Sequence, residues 1–168
     1  MFTVGSSYST EVSITSSQQR ISLDHAVVEA SERGARMLAD AYWAEIRRLT
    51  LGTVRVRTEL GGLELVFVGI VTLFRFGRPE LVATPDRVEC CFPITGGILA
   101  KRSGGTLSIA QHAGADPELV VTVEDYAPRL DSGPERGGVR TFAYRHLQRR
   151  AHAAIGRRYL ARMTGGGR

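Results

Sequence analysis

The chain has 168 residues, 43% of them hydrophobic and 23% charged, and its formal net charge is +5. This is ordinary globular composition, and a chain of this length can form one domain with its own core without disulfides. The two cysteines, Cys90 and Cys91, are adjacent and point to opposite faces if they lie in a strand. They are therefore poor partners for each other and indicate a reducing compartment.

Two segments decide where the protein is expected to be found. The N-terminal sequence has no basic stretch followed by an apolar one, which argues against a signal peptide. The longest apolar stretch, Leu65–Phe74, is interrupted by Gly and Thr and is too short to span a bilayer. We therefore expect a soluble, cytoplasmic protein with no membrane span. It is expected to be a single domain over residues 1–168, with a loose end at 1–9, a folded core at 10–163 and a flexible tail at 164–168.

The first elements predicted along the chain are a strand and a helix. Alternation at Glu11–Thr15 indicates a short strand. Ser22 is a suitable N-cap for an amphipathic helix that runs to about Leu49, in which Gly34 allows a bend.

After this helix the apolar period changes to two, and turns rich in Gly and Pro separate the segments. Gly69 is expected to make a bulge or a sharp bend. Short connections between the segments favour antiparallel pairing. The predicted strands are Thr53–Leu60, Leu63–Phe76 as one strand or two, Leu81–Ala83, Val88–Phe92, Thr106–Gln111 and Leu119–Glu124.

Helical spacing returns from about Thr141 to Met163. The segment from Arg136 to Arg168 contains nine Arg and no Asp or Glu, so the excess positive charge of the chain lies on this terminal element. The complete order predicts an α+β domain: a curved antiparallel β-sheet, helix-grip or barrel-like, with a long helix after the first strand and a long C-terminal helix.

This order of elements resembles that of the START and polyketide-cyclase-like (SRPBCC) helix-grip superfamily over roughly residues 10–163. There a curved antiparallel sheet grips a long C-terminal helix and encloses an apolar cavity, so the resemblance implies a ligand-binding fold. The chain departs from that pattern in having one long helix after the first strand, where the superfamily usually has two short ones. The segments Leu73–Pro79, Pro93–Gly97 and Asp125–Leu130 resemble parts of small uncharacterised actinobacterial proteins and imply no activity.

If the sheet encloses a pocket, a few polar and aromatic side chains are candidates for its lining. Arg75 interrupts an apolar strand, where a charge needs a partner or a ligand. Burial of Glu89 would raise its pKa and suit it to acid–base chemistry. These two residues and Tyr126 are the candidate catalytic groups. The candidate ligand-binding residues are Tyr42, Trp43, Phe67, Phe74, Phe76, Phe92 and Tyr144. Two alternatives stay open: the apolar residues fill a closed core, and Arg75 and Glu89 face solvent or pair with each other.

The Arg-rich terminal helix is a candidate for contact with a partner. An acidic carrier protein, nucleic acid or an anionic membrane would each be attracted to it, and a merely solvated face is the alternative. Nucleic acid is disfavoured by the acidic body of the chain and by the lack of an RNP-like or zinc-finger motif. Membrane binding is disfavoured because the core needs the apolar stripe of this helix. The residues that would make the contact are Arg149, Arg150, Arg157 and Arg158.

The sequence contains no strong catalytic, nucleotide-binding or metal-binding motif. No metal and no cofactor are therefore predicted, and the oligomeric state is left open. The leading hypothesis is a β-sheet domain that encloses an apolar organic ligand. It could be a cofactor-independent cyclase or isomerase of natural-product (polyketide-type) biosynthesis. The alternative is a non-enzymatic interaction module that uses its Arg-rich helix to contact an acidic protein or nucleic acid.

Overall fold

The structure, a computed structural model, describes residues 15–100, 103–126 and 154–164. The first two ranges contain eight strands and one long helix, and residues 154–163 form the helical segment α2. The elements are β1 Thr15–Ser22, α1 Glu32–Leu49, β2 Val54–Glu59, β3 Gly62–Phe67, β4 Val71–Phe76, β5 Glu80–Ala83, β6 Arg87–Gly96, β7 Thr106–His112 and β8 Glu118–Tyr126.

All eight strands belong to one antiparallel sheet with the order β1-β8-β7-β6-β4-β3-β2. Strand β6 is long enough to have two neighbours on one side. Its first half pairs with β5, and its end pairs with β4 through Phe76 and Ile94. The first strand lies beside the last, β8, in an antiparallel pair. The predicted class, α+β with a curved antiparallel sheet, a helix after the first strand and a C-terminal helix, is confirmed.

The helix α1 begins nine residues later than the sequence predicts. Its N-cap is Ser31, whose hydroxyl accepts a hydrogen bond from the Gly34 amide at 3.0 Å, and Ser22 is instead the last residue of β1. Gly34 therefore lies in the first turn of α1 and not in its middle, where a bend is predicted. A Cβ at this position would overlap the carbonyl oxygen of Glu29, so the glycine allows the preceding segment to approach the helix.

Residues 23–31 are irregular because a side chain of the sheet satisfies their backbone. Gln111 of β7 accepts from the amides of Val27 at 2.7 Å and Val28 at 3.0 Å, and it donates to the Val28 carbonyl at 2.9 Å. Leu23 and Val28 are buried in the core without being helical. Leu23 and the partly buried Val27 are four residues apart, which is a helical spacing, and the pattern therefore predicts a helix that starts too early.

The strand predictions agree with the structure apart from their bounds. Leu63–Phe76 is two strands, separated by a turn in which Gly69 has a φ of 77°, and β6 extends four residues beyond the predicted end. The first strand is Thr15–Ser22 rather than Glu11–Thr15, of which only Thr15 lies within the described residues. Its polar sequence has little alternation, and it is held by antiparallel pairing with β8.

The core lies between α1 and one face of the sheet. It is formed by one side of α1, by alternate residues of β6, β7 and β8, and by Tyr159 and Leu160 of α2. The predicted helix over 141–163 is thus observed at 154–163, and its earlier part lies outside the described residues. Because Phe92, Ile109 and Val121 are at most 2% exposed, the part of this face that β6, β7 and β8 form is covered.

Candidate functional site

The centre of the core is a group of aromatic rings that we call the aromatic cluster: Tyr42, Trp43, Phe74, Phe76, Phe92 and Tyr159. The Trp43 ring lies 5.1 Å from Phe92 and 5.5 Å from Phe76, measured between ring centroids. Tyr42 makes edge contacts with Trp43 and Tyr159, each at 5.4 Å, and Phe74 stacks on Phe76 at 5.9 Å. The structure thereby brings together five of the seven predicted ligand-binding residues, on α1, β4 and β6.

Trp43 contributes a buried polar group to this cluster. Its side chain is 9% exposed, and its indole N–H has no hydrogen-bond acceptor among the described residues. A buried N–H without an acceptor costs roughly 1–3 kcal/mol, which is why most such groups are paired. The aromatic cluster therefore contains one unused donor surrounded by apolar rings.

The two tyrosines of the cluster remain neutral over the ordinary pH range. Burial raises the pKa of both Tyr42 and Tyr159 well above the usual range of a phenol. The Tyr159 hydroxyl donates to the carbonyl of Leu38 at 3.2 Å and thereby ties α2 to α1. The Tyr159 hydroxyl thus already uses its proton, and neither tyrosine is suited to act as a base.

Glu45 is a buried charge on the side of α1 that faces the core. Its side chain is 7% exposed and forms ion pairs with Arg48 at 3.5 Å and with Arg162 of α2 at 3.9 Å. Its Oε2 makes no hydrogen bond among the described residues. A carboxylate at a helical position that faces the core is a signal for a cation from another element, and here that cation comes from the Arg-rich segment.

Glu89, a predicted catalytic residue, is buried, and both of its carboxylate oxygens already have partners. Arg87 Nη2 lies 2.6 Å from its Oε2, and the Ser108 hydroxyl donates to its Oε1. Burial raises the pKa of Glu89, but hydrogen bonds from Ser108, Arg87 and Cys91 outweigh it, and the net pKa is lowered. The expectation of a raised pKa is therefore wrong, because donors surround the carboxylate and hold it ionised.

Glu89 also lies on the opposite face of the sheet from the aromatic cluster. Side chains alternate along a strand, so Cys90 and Phe92 point toward α1 while Glu89 and Cys91 point away. The structure consequently does not bring Glu89 together with the predicted ligand-binding residues. The two thiols are inert, since burial raises the pKa of Cys90 to about 12 and that of Cys91 to about 11.

Arg75, the second predicted catalytic residue, is 60% exposed and pairs across the β3–β4 hairpin with Glu64. Its Nε lies 2.9 Å from Glu64 Oε1, and Arg57 of β2 lies 2.5 Å from the other oxygen. Hydrogen bonds from Arg75 and Arg57 lower the pKa of Glu64. Arg75 and Glu89 therefore do not pair with each other, and Arg75 takes part in an exposed ladder of charges.

The remaining predicted site residues are scattered. Phe67 is 43% exposed at the end of β3, outside the cluster. Arg157 and Arg158 are exposed on α2. Tyr126 ends β8, and its side chain lies outside the described residues, as do the predicted sites Tyr144, Arg149 and Arg150.

A separate surface hollow of about 360 Å³ lies at the N-terminal end of α1. It contains none of the predicted ligand-binding residues. Its lining is Val27, Val28, Glu29, Ser31, Arg33, Gly34 and Met37. Over the described ranges, no group of three or more His, Cys, Asp or Glu side chains is placed to hold a metal ion, and no helix is long and apolar enough to cross a membrane.

Comparison with known proteins identifies no family. No protein-family model matches the sequence, and no curated protein matches it. Among solved structures, the crystal structure of Ara h 8.0201 is similar with a TM-score of 0.36 and 12% identity, covering 88% of this chain and 99% of the other. A solution structure of a protein from Arthrobacter aurescens is similar with a TM-score of 0.34 and 14% identity, covering 88% and 90% of the two chains. Similarities this low indicate nothing about what this chain binds.

Proposed function

We propose that this domain binds a small apolar organic molecule that carries one hydrogen-bond acceptor, seated against the aromatic cluster beside Trp43. The observation that supports this most directly is the buried indole N–H of Trp43, which has no acceptor among the described residues. A carbonyl or ether oxygen of a bound molecule would supply that acceptor. The surrounding rings would provide the apolar contact, as is common in sites for small molecules.

The character of the surrounding groups limits the ligand. Phe74, Phe76 and Phe92 offer only apolar and ring-edge contacts, and the buried Tyr42 is neutral. An ionised ligand would have to lose its hydration without a charged partner in the cluster, which is costly. The proposal is therefore a neutral molecule, aromatic or fused-ring in shape, with few polar atoms.

A narrower version of the proposal is a cofactor-independent cyclase or isomerase of polyketide-type biosynthesis. Within the cluster the hydroxyl available to a substrate is that of Tyr42, which burial keeps protonated, because the Tyr159 hydroxyl already donates to the Leu38 carbonyl. Such an enzyme would use Tyr42 to donate a hydrogen bond to a developing oxyanion and the surrounding rings to hold the substrate folded. Glu89 would not contribute directly, since it points away from the cluster.

The binding proposal is tested with two ligands of the same shape, 2-acetylnaphthalene and 2-ethylnaphthalene, by titration calorimetry. The ketone should bind about tenfold more tightly than the hydrocarbon, because one hydrogen bond to the buried N–H contributes about 1–1.5 kcal/mol. The Trp43→Phe variant keeps an aromatic ring and removes the donor, so it should bind both ligands equally. Tyr42→Phe is the matched control, since it removes a hydroxyl from the same helix and should preserve the preference. Binding of neither ligand, or an unchanged preference in Trp43→Phe, would contradict the proposal.

A second candidate is an interaction module for an acidic protein. It is favoured by one observation: Arg157 and Arg158 are adjacent, exposed and without an ion pair among the described residues. The affinity of such a contact falls with salt. The Arg157→Gln/Arg158→Gln double variant should reduce retention on an acidic carrier protein at low salt, and equal retention of the variant and the parent chain would exclude this role.

A further inference from the structure

One end of the sheet exposes large apolar side chains that we call the apolar tip: Leu51, Phe67, Val68, Ile70 and Ile98. They are 92%, 43%, 59%, 84% and 46% exposed. Leu51 follows the end of α1, Phe67 ends β3, Val68 and Ile70 lie in the turn between β3 and β4, and Ile98 lies in the loop after β6. Three separate turns therefore present apolar residues where most proteins place polar ones.

Backbone hydrogen bonds hold these three turns side by side. The Val68 amide donates to the Thr53 carbonyl at 2.7 Å, which joins the β3–β4 turn to the loop after α1. The Ile98 amide donates to the Thr72 carbonyl at 3.1 Å, which joins the third loop to β4 two residues beyond Ile70. The apolar tip is consequently a single built surface.

Two of these apolar residues have a backbone conformation that is unfavourable for their residue type. Leu51 has a φ of 52° and Val68 has a φ of 51°, in the left-handed region that Gly and Asn adopt most readily. A β-branched residue is especially unfavourable there. Folding stability alone would select Gly or Asn at residue 68, so its valine indicates a requirement for the exposed side chain itself.

Two arginines adjoin the apolar tip. Arg47 lies in the last turn of α1, just before Leu51, and Arg55 donates through its Nε to the carbonyl of Gly52 at 3.0 Å. We call these two residues the basic collar. The neighbouring Arg48 is already paired with the buried Glu45 and is not counted with them.

We propose that the apolar tip and the basic collar dock this domain on an anionic lipid bilayer. The tip residues would enter the boundary between headgroups and acyl chains, and the collar arginines would contact lipid phosphates. The apolar residues lie on projecting turns rather than in a groove, which fits insertion into a bilayer better than the seating of a partner's side chain. This surface is distinct from the aromatic cluster and does not depend on the proposed ligand.

Flotation of the full chain with lipid vesicles tests the proposal. Vesicles of phosphatidylcholine and phosphatidylserine in equal parts should bind the protein, vesicles of phosphatidylcholine alone should bind it much less, and added salt should weaken the binding. The Val68→Asn/Ile70→Asn variant should bind the anionic vesicles at least about tenfold more weakly. Arg47→Gln/Arg55→Gln should lose the difference between the two lipid compositions.

The matched control is Leu60→Asn. Leu60 is 99% exposed in the hairpin at the other end of β2 and β3, beside the acidic Glu59, and this variant should bind vesicles like the parent chain. Val68→Asn should also unfold at a higher temperature than the parent chain because it relaxes the backbone, so weaker binding could not be attributed to misfolding.

The proposal is overturned if the full chain does not bind anionic vesicles, or if Leu60→Asn reduces binding as much as the tip variant. It is also overturned if the tip residues change the oligomeric state or the capture of a protein partner and leave vesicle binding unchanged.

Discussion

The Gln111 side chain offers the sharpest test of how the segment before α1 is held. Gln111 is 2% exposed and satisfies three backbone groups, the amides of Val27 and Val28 and the carbonyl of Val28. Gln111→Leu preserves most of the volume and removes all three hydrogen bonds. Each contributes about 1 kcal/mol net, and the buried groups left behind cannot all reach water, so we expect a loss of about 3 kcal/mol in the free energy of unfolding.

Urea unfolding followed by the fluorescence of the single tryptophan, Trp43, measures this loss directly. The midpoint should fall while the dependence on urea concentration stays the same, and the melting temperature should fall by roughly 6–12 °C. Hydrogen exchange at the amides of Val27 and Val28 should accelerate by more than exchange elsewhere in the core.

Gln18→Leu is the matched control for Gln111→Leu. Gln18 lies on β1 and accepts one exposed hydrogen bond from Arg20, so its removal should change stability by less than about 0.5 kcal/mol. A loss below about 1 kcal/mol for Gln111→Leu would refute the reasoning, because the segment would then be held by the burial of Leu23 and Val28 alone.

Three further predictions concern the sheet. Cys91 should react with iodoacetamide at pH 8 about 100-fold more slowly in the folded chain than in urea, because its pKa is raised to about 11 from an ordinary value near 9; equal rates would contradict this. Glu89→Gln should be less stable than the parent chain near pH 7, and the difference in urea midpoint should shrink as the pH falls below about 4, because a lowered pKa stabilises the fold only above the pKa of the unfolded chain. Gly97→Ala should lower the melting temperature by several degrees, since a Cβ there overlaps the Leu73 carbonyl and φ is +118°, whereas Gly61→Ala, with open space around it, should not.

The order of elements and the aromatic residues of the core could be predicted from the sequence, because period and composition report burial. The start of α1 could not. Leu23 and Val27 are four residues apart, a helical spacing, yet the backbone of Val27 and Val28 is satisfied by Gln111, a residue more than 80 positions away. A pattern along the chain contains no information about such a distant side-chain partner.

The candidate site shows the same limit more clearly. Tyr42, Trp43, Phe74, Phe76 and Phe92 were predicted as neighbours, and the structure places them together because aromatic residues on inward positions meet in one core. The charged candidates, Arg75 and Glu89, rest on one criterion, a charge in a strand that is expected to be buried. That criterion identifies an unusual position but not which face of the sheet it occupies or which donors lie across it.

Strand β6 makes the physical reason concrete. Phe92 and Glu89 are three residues apart, an odd separation, so alternation alone places them on opposite faces once the strand is continuous. A catalytic role for Glu89 requires that its buried carboxylate has no hydrogen-bond donors nearby, so that burial alone determines its pKa. The cross-strand register brings Ser108 beside it, and Arg87 lies two residues away on the same face. Desolvation and charge-assisted hydrogen bonding then have opposite effects on the pKa of Glu89, and the effect of the hydrogen bonds is larger.

On the opposite face, the buried donor of Trp43 has no such compensation among the described residues. The unpaired N–H, rather than the buried charge, is therefore the stronger sign of a ligand in this domain.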